Sequence, residues 1–256
     1  MKSGVIPRAA GVMLLSNALL SGCSGPRSAS DMVSEARGVV EMDRYSAGSY
    51  LGLVDEVRTG GQSGVDQACM AHAIASGVPV GGWVPAGFTA EVYSSGLYHD
   101  QSGGIPIDLL ARGNFIETTE TNVLAFIENQ SEELRSLLEP LIEKVQKNPA
   151  DPSIRTELQV VTTDGTLIIT TDSPRLTDGT VIMEGLAKKY EKPYFIITVS
   201  TEDLVPQEQI ADARVWLTVH NIHSLNIGGP RASHEKDFGL AISQVATQVL
   251  DELFRE

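Results

Sequence analysis

The sequence predicts an α/β fold, Rossmann-like, with a mainly parallel sheet covered by helices on both faces. Two observations carry that expectation. From Tyr50 onward, short apolar runs rich in β-branched residues alternate with stretches of helical periodicity. Turns rich in glycine or proline separate them, with no repeat of fixed period and no long low-complexity tract. Strand, loop and helix in repeated order call for crossover connections, which helices laid on a parallel sheet provide.

The elements follow in order. Tyr50 to Val57 reads as a first strand, and Thr59-Gly60-Gly61-Gln62-Ser63-Gly64 as a sharp turn. Val65 to Ser76 is helical in pattern, with Val65, Cys69 and Ala73 on one face and Ile74 alongside. Gly77 suits the position just past a helix, and Pro79 prevents continuation. Ser131 to Asn148 reads as a separate amphipathic helix, capped by Ser131, with Leu134, Leu138, Leu141 and Val145 on one face. Pro140 is expected to kink it. Thr166 to Thr170 is a short strand, and Gly179-Thr180 precedes a helix running to about Tyr190. Lys192-Pro193 leads into a strand over Tyr194 to Val199, followed by a helix over Gln207 to Val219. Ser224 to Ile227 is a final strand ending at Gly228-Gly229-Pro230-Arg231, and a helix from about Phe238 to Phe254 closes the chain.

Composition narrows the function. With 42% hydrophobic residues, the 256-residue chain has enough apolar surface to offset the entropy of ordering. Nineteen basic against 33 acidic residues leave a net charge of −14, so no nucleic-acid partner is expected. Cys23 and Cys69 are the two cysteines, which excludes a disulfide framework and a Cys-rich zinc site. Cys69, on the apolar helix face, reads as a small core residue.

The first residues read as a targeting segment. Lys2 and Arg8 precede an apolar run from Ala9 to Leu20, too short to span a bilayer and suited to a secretory signal. Leu20-Ser21-Gly22-Cys23 resembles a bacterial lipobox, in which the cysteine is acylated and becomes the new amino terminus. The expected organisation is a signal over 1–23, a tether over 24–48 and one domain over 49–256 with a helical insertion about 121–154. Membrane contact is then expected only through lipid on Cys23, with the domain facing the periplasm or cell exterior. The alternative is a ragged start before a cytoplasmic domain.

Chemistry is expected first at Gly60 to Gly64 with Asp66. Glycines bring backbone N–H groups close to a ligand, and the helix amino terminus adds partial positive charge, which suits a phosphate. The spacing is neither G-x-G-x-x-G nor a P-loop, so a plain strand–helix turn, with Asp66 favouring the helix dipole, stays open. His220 and His223 lack an acidic or thiol partner at ligand spacing, and no metal site is expected. Ser233, His234 and Asp237 are sequence neighbours, which by itself makes no catalytic triad.

Several motifs occur in a telling order: Gly60-Gly61-Gln62-Ser63-Gly64-Val65-Asp66, Gly81-Gly82-Trp83-Val84-Pro85-Ala86-Gly87, Ala90-Glu91, Arg155-Thr156-Glu157, and Asp164-Gly165-Thr166-Leu167-Ile168. Gly179-Thr180, Lys192-Pro193 and Leu225-Asn226-Ile227-Gly228-Gly229-Pro230-Arg231 follow. Over about residues 53–254 this set resembles the family named Putative molybdenum carrier, in the wider group of the lonely-guy phosphoribohydrolases and DNA-processing protein A. The resemblance implies an open α/β sheet whose glycine loops hold a nucleotide-like ligand or a pterin-type one such as molybdenum cofactor. Gly60, Gly61, Gln62, Ser63 and Gly64 would form one loop, Gly179 and Thr180 a second, and Gly229, Pro230 and Arg231 a third. Arg231 would grip an oxyanion in bidentate fashion, and Trp83 would either stack on a ring or pack in the core. The family pattern has Asp-Gly where Val92-Tyr93 stand, a serine near Arg58-Thr59, and a second glycine and a later threonine where Asp178 and Met183 stand. Those differences bear on the ligand more than on the fold. A second reading is hydrolysis of nucleoside monophosphates, with Glu184 as its weak catalytic candidate; a third is an anchored interaction module with a vestigial pocket, in either case with a homo-oligomer as a further option.

Overall fold

The computed structural model describes residues 53–149, 151–171, 178–234 and 241–255. In chain order these form β1 (Glu56–Arg58), α1 (Val65–Ala75), β2 (Val80–Val84), β3 (Ala90–Ser94), β4 (Leu97–Gln101), α2 (Ile107–Leu110) and β5 (Asn114–Glu117). Then come α3 (Glu120–Glu128), α4 (Glu132–Lys147), α5 (Pro152–Val161), β6 (Gly165–Thr171), α6 (Asp178–Lys189) and β7 (Tyr194–Val199). The last are α7 (Gln207–Val219), β8 (Ser224–Gly228) and α8 (Ile242–Leu253).

Six strands make one sheet in the order β5-β2-β1-β8-β6-β7, and every pairing in it is parallel. The order has a plain reading. Counted from β6 through β7 and β8, then on through β1, β2 and β5 as if the chain ends were joined, it becomes 2-1-3-4-5-6. That is the doubly wound arrangement of flavodoxin type, cut open between its third and fourth strands. Connections that run toward β5 lie on one face of the sheet, and those that run toward β7 lie on the other.

Two apolar layers fill those faces. On the first, α1, α7 and α8 bury Cys69, Met70, Leu217, Val249 and Leu253 against Val57, Leu167, Ile169 and Leu225. On the second, Trp83 packs with Val123, Ile127, Leu138, Leu141, Val145, Ile154 and Leu158, drawn from α3, α4 and α5. Strand alternation sorts the residues, so neighbours such as Trp83 and Val84 belong to opposite layers. Cys69 is fully buried in the first, as its helix face predicts.

The sequence elements mostly stand where expected, with instructive exceptions. The first strand begins at Glu56, because its partner β8 starts at Ser224 and the register pairs Glu56 with Ser224. Tyr50 and the targeting and tether segments, Cys23 included, lie outside the described residues, as does the proposed start of the last helix at Phe238. The amphipathic helix α4 runs through Pro140 as one element, with the Ser131 hydroxyl accepting the Leu134 N–H. Its Leu138, Leu141 and Val145 are buried. Gly179 and Thr180 stand inside the first turn of α6 and do not form a loop before it. The β3–β4 hairpin goes unnoticed in the sequence, although Ser95 and Gly96 both take positive φ values, 52° and 83°, in its two-residue turn. Among the described residues no helix is long and apolar enough to cross a membrane.

One buried acid ties the second layer together. Glu157 on α5 accepts from Lys144 of α4 at 3.1 Å, Lys189 of α6 at 2.6 Å and the Tyr190 hydroxyl at 2.5 Å. Burial works against its charge, yet those three hydrogen bonds outweigh burial and hold the carboxyl below its ordinary range. A depressed carboxyl adds stability above its unfolded value, and that stability is lost as pH falls through the native one. Glu157→Gln should therefore cost about 1–2 kcal/mol at neutral pH by urea unfolding. The gap to wild type should close as pH drops below the ordinary carboxylate range; a gap independent of pH would refute this account.

Candidate functional site

The carboxyl ends of β1 and β8, the two central strands of the sheet, open into a cleft beside the glycine-bearing turns that follow them. It is lined by Gly60, Asp66, Arg155, Thr156, Gln159, Gly179, Met183, Asn226, Ile227, Gly228 and Gly229. Its backbone walls come from two loops that touch. The Val65 N–H donates to the Pro230 carbonyl at 3.3 Å, and a Cβ on Gly64 would stand 2.4 Å from that oxygen. Gly64 also holds a φ of 83°, which glycine adopts without strain. A Cβ on Gly229 would meet the Ile169 carbonyl at 2.1 Å, so β6 and the loop after β8 approach as closely as bare backbone allows.

Opposite charges meet in the cleft. Arg155 Nη1 donates to Asp66 Oδ2 at 3.2 Å, and the two side chains are 12% and 8% exposed. The Gln62 N–H also donates to Asp66 Oδ2, at 3.2 Å. Burial pushes the Asp66 carboxyl up; Arg155, the Gln62 amide and Arg231 pull it back, and the balance lies above the ordinary value. Burial likewise lowers Arg155 despite Asp66. Among the described residues the Arg155 Nε has no hydrogen-bond partner, and a Cβ on Gly60 would collide with Nη1 at 1.5 Å. Gly60 is thus the floor on which the guanidinium lies.

Gln159, 2% exposed, carries a second unmatched atom. Its Nε2 donates to the carbonyls of Thr59 at 2.6 Å and Trp83 at 3.2 Å, which fixes the amide orientation and leaves Oε1 with no partner among the described residues. Asn226 Nδ2 donates to Thr166 Oγ1 at 3.3 Å beside it.

Gln62 and Ser63 serve the loops themselves. The Gln62 Oε1 accepts the Glu91 N–H at 3.1 Å, and the Ser63 hydroxyl donates to Glu91 Oε2 at 2.8 Å. Glu91 Oε2 also accepts the Ser233 N–H at 3.0 Å, and Ser63 Oγ the Ala232 N–H at 3.2 Å. Glu91, at the root of the hairpin, therefore pins the first glycine loop to the segment after β8.

Of the residues expected at a site, Gly60, Asp66, Gly179 and Gly229 line the cleft, while Gly61, Gln62, Ser63, Gly64, Thr180 and Pro230 are not among its lining residues. Trp83 is 2% exposed and meets Phe126 edge-on at 5.3 Å, so it packs in the core and offers no face to a ring. Arg231 reaches Asp100 on β4 at 3.2 Å, which ties the hairpin rather than lining the cleft. Glu184 pairs with Lys188 at 2.6 Å one helical turn on; its neighbour Met183 takes the cleft position instead. His223 Nδ1 lies 2.9 Å from Asp55 and its Nε2 2.8 Å from Asn221, and among the described residues no cluster of acid, His and Cys groups could hold a metal. Asp237 lies outside the described residues. Arg155, Thr156 and Gln159 are the contributions that spacing alone misses: a lone arginine and glutamine in an otherwise ordinary helix, of which Arg155 and Thr156 stand out only through a motif.

The close approaches make a contrast that urea unfolding can read. Gly229→Ala should lower stability by roughly 1–3 kcal/mol or more, since backbone must shift to admit the methyl. Nothing lies within 4 Å of a Cβ on Gly179, so Gly179→Ala should be neutral or slightly stabilising. Equal effects would contradict the packing described.

Comparison with known proteins agrees with this architecture. None of the curated proteins matches the chain. The chain is similar to a solved structure, "Putative molybdenum carrier protein" from Syntrophus aciditrophicus SB, at 26% identity and a TM-score of 0.54, covering 78% of this chain and 95% of that one. The family model for the circularly permutated YpsA SLOG family matches residues 57–101 and 139–254. The residues between, 102–138, hold α2, β5, α3 and the start of α4. With both flanks matched and a strand order that reads as a permuted doubly wound sheet, the chain belongs to the circularly permutated YpsA SLOG family.

Proposed function

We propose that the protein binds a small phosphorylated ligand, nucleotide-like or a phosphorylated pterin, in the cleft at the ends of β1 and β8. The observation that carries this reading is Arg155: a buried guanidinium lining a glycine-walled cleft, with an N–H that nothing among the described residues accepts. Desolvated donors of this kind bind oxyanions well, because the anion restores bonds that burial has removed. The backbone at Gly60, Gly228 and Gly229 lets a phosphate come near main-chain N–H groups. Gln159 Oε1, also unmatched, supports a ligand that presents an N–H or O–H donor, as an amino-substituted heterocycle does. The similar protein from Syntrophus is named for carrying molybdenum, and the same donors are chemically fit for the phosphate of a molybdenum-bearing pterin. Glu184, the candidate for hydrolysis, pairs with Lys188 and is not among the residues that line the cleft.

Native mass spectrometry of the full-length protein, followed by mass analysis of what denaturation releases, tests the reading directly. A nucleotide or pterin mass is expected. Arg155→Met should then weaken that ligand ten- to a hundredfold, the equivalent of about 1.5–3 kcal/mol for a charge-assisted hydrogen bond. A variant that retains full affinity would move the oxyanion site elsewhere.

The amino-terminal segment supports lipidation of Cys23, which would place the domain on a membrane surface outside the cytoplasm. Intact-mass analysis after bacterial expression should show a diacylglycerol and fatty-acyl increment that Cys23→Ala lacks. An unmodified wild-type mass would dispose of the anchor.

A further inference from the structure

An oxyanion in this cleft would face a like charge. Asp66 lines the same wall as Gly60, Gly228 and Gly229, and its carboxyl is nearly as buried as the core. Two buried negative charges side by side cannot both persist without compensation. The groups that face Asp66 limit the ways out. Arg155 approaches from α5, and Arg231 acts from the segment after β8. Asp100 on β4 acts in turn on Arg155. Cys69, one turn along α1, is fully buried and its thiol is pushed well up by burial and then by Asp66, so it stays protonated. An arginine does not give up its proton in this range. Among the described groups that face the cleft, the carboxyl is what remains to change its charge.

We propose that Asp66 takes up a proton from solvent when an oxyanion binds beside it, so that ligand binding and proton uptake are one event. This rests on the reading of the cleft as an oxyanion site. In the ligand-free protein the Arg155–Asp66 pair is neutral overall, held by one hydrogen bond at 3.2 Å. An arriving anion draws on the Arg155 donors and adds negative charge nearby. The carboxylate loses part of its compensation while its burial persists, and a proton on its oxygen restores neutrality. Affinity accordingly falls as pH rises through the Asp66 range, by at most about tenfold per pH unit for one proton.

Isothermal titration of the full-length protein with AMP at pH 7.5, in two buffers of different ionisation enthalpy, reads the coupling. The heat should differ between buffers by an amount that corresponds to uptake of a substantial fraction of one proton. In Asp66→Asn the heat should become independent of buffer, with AMP bound at least as tightly. Binding with buffer-independent heat in the wild type, or uptake that survives in Asp66→Asn, overturns the inference and leaves the oxyanion site standing. Saturating AMP that gives neither heat nor a thermal shift overturns the site reading and this inference with it. A buffer-independent heat in the wild type overturns the inference even if Asp66→Asn does not fold.

Discussion

Two stretches of bare backbone touching each other set the terms for the rest of this molecule. The loop after β1 and the segment after β8 meet at Gly64 and Pro230, and the latter segment meets β6 at Gly229 and Ile169. No side chain larger than hydrogen fits at either place, so the strand ends are drawn together at a fixed spacing. That spacing determines the width of the cleft, the position of Gly60 under Arg155, and the reach that Glu91 needs to pin the loops from the hairpin side. The interior of the sheet could tolerate conservative exchanges among Val, Ile and Leu. These contacts could not.

Upon that frame the protein keeps a costly pair. Asp66 and Arg155 are both taken out of water, and such pairs return little net stability. Glu157 sits two residues along the same helix and is also buried, yet its partners Lys144 and Lys189 keep about half of their surface in solvent. The two acids show how placement separates roles. Glu157 is saturated by three donors and locks helices together, while the cleft pair retains an unmatched N–H on its arginine.

Much of the fold was legible because apolar periodicity and turn residues speak locally. The strand Tyr194–Val199 and the helix Gln207–Val219 are runs whose own pattern matches the environment they occupy. β2 was not legible, since Val-Gly-Gly-Trp-Val carries two glycines where its neighbours approach closely, and glycine reads as a turn. The start of β1 was overestimated because its length is set by the register with β8, a long-range fact. The glycine loops of the site and Asp66 could be found in the sequence; Arg155 and Gln159, which supply the rest of the cleft's chemistry, could not be assigned to it. Arg155 and Gln159 are ordinary helix residues until the fold turns that side of α5 toward β1. Trp83 shows the opposite failure, an aromatic that invites a stacking role and is spent on the core.

The permuted strand order has a consequence for how the protein comes into being. β1 lies in the middle of the sheet and is made first; β8, which fits between β1 and β6, is made last. During synthesis β1 and β2 can pair early, but the gap beside β1 stays open until almost the whole domain has left the ribosome. Closing it requires inserting a strand into an interior position, a step governed by contacts far apart in sequence and therefore slow. A chain interrupted before β8 would expose two unpaired inner edges at once, which are surfaces on which strands of other molecules can add. The protein is thus most vulnerable to aggregation at the end of its synthesis, when the segment that completes its cleft also seals its sheet.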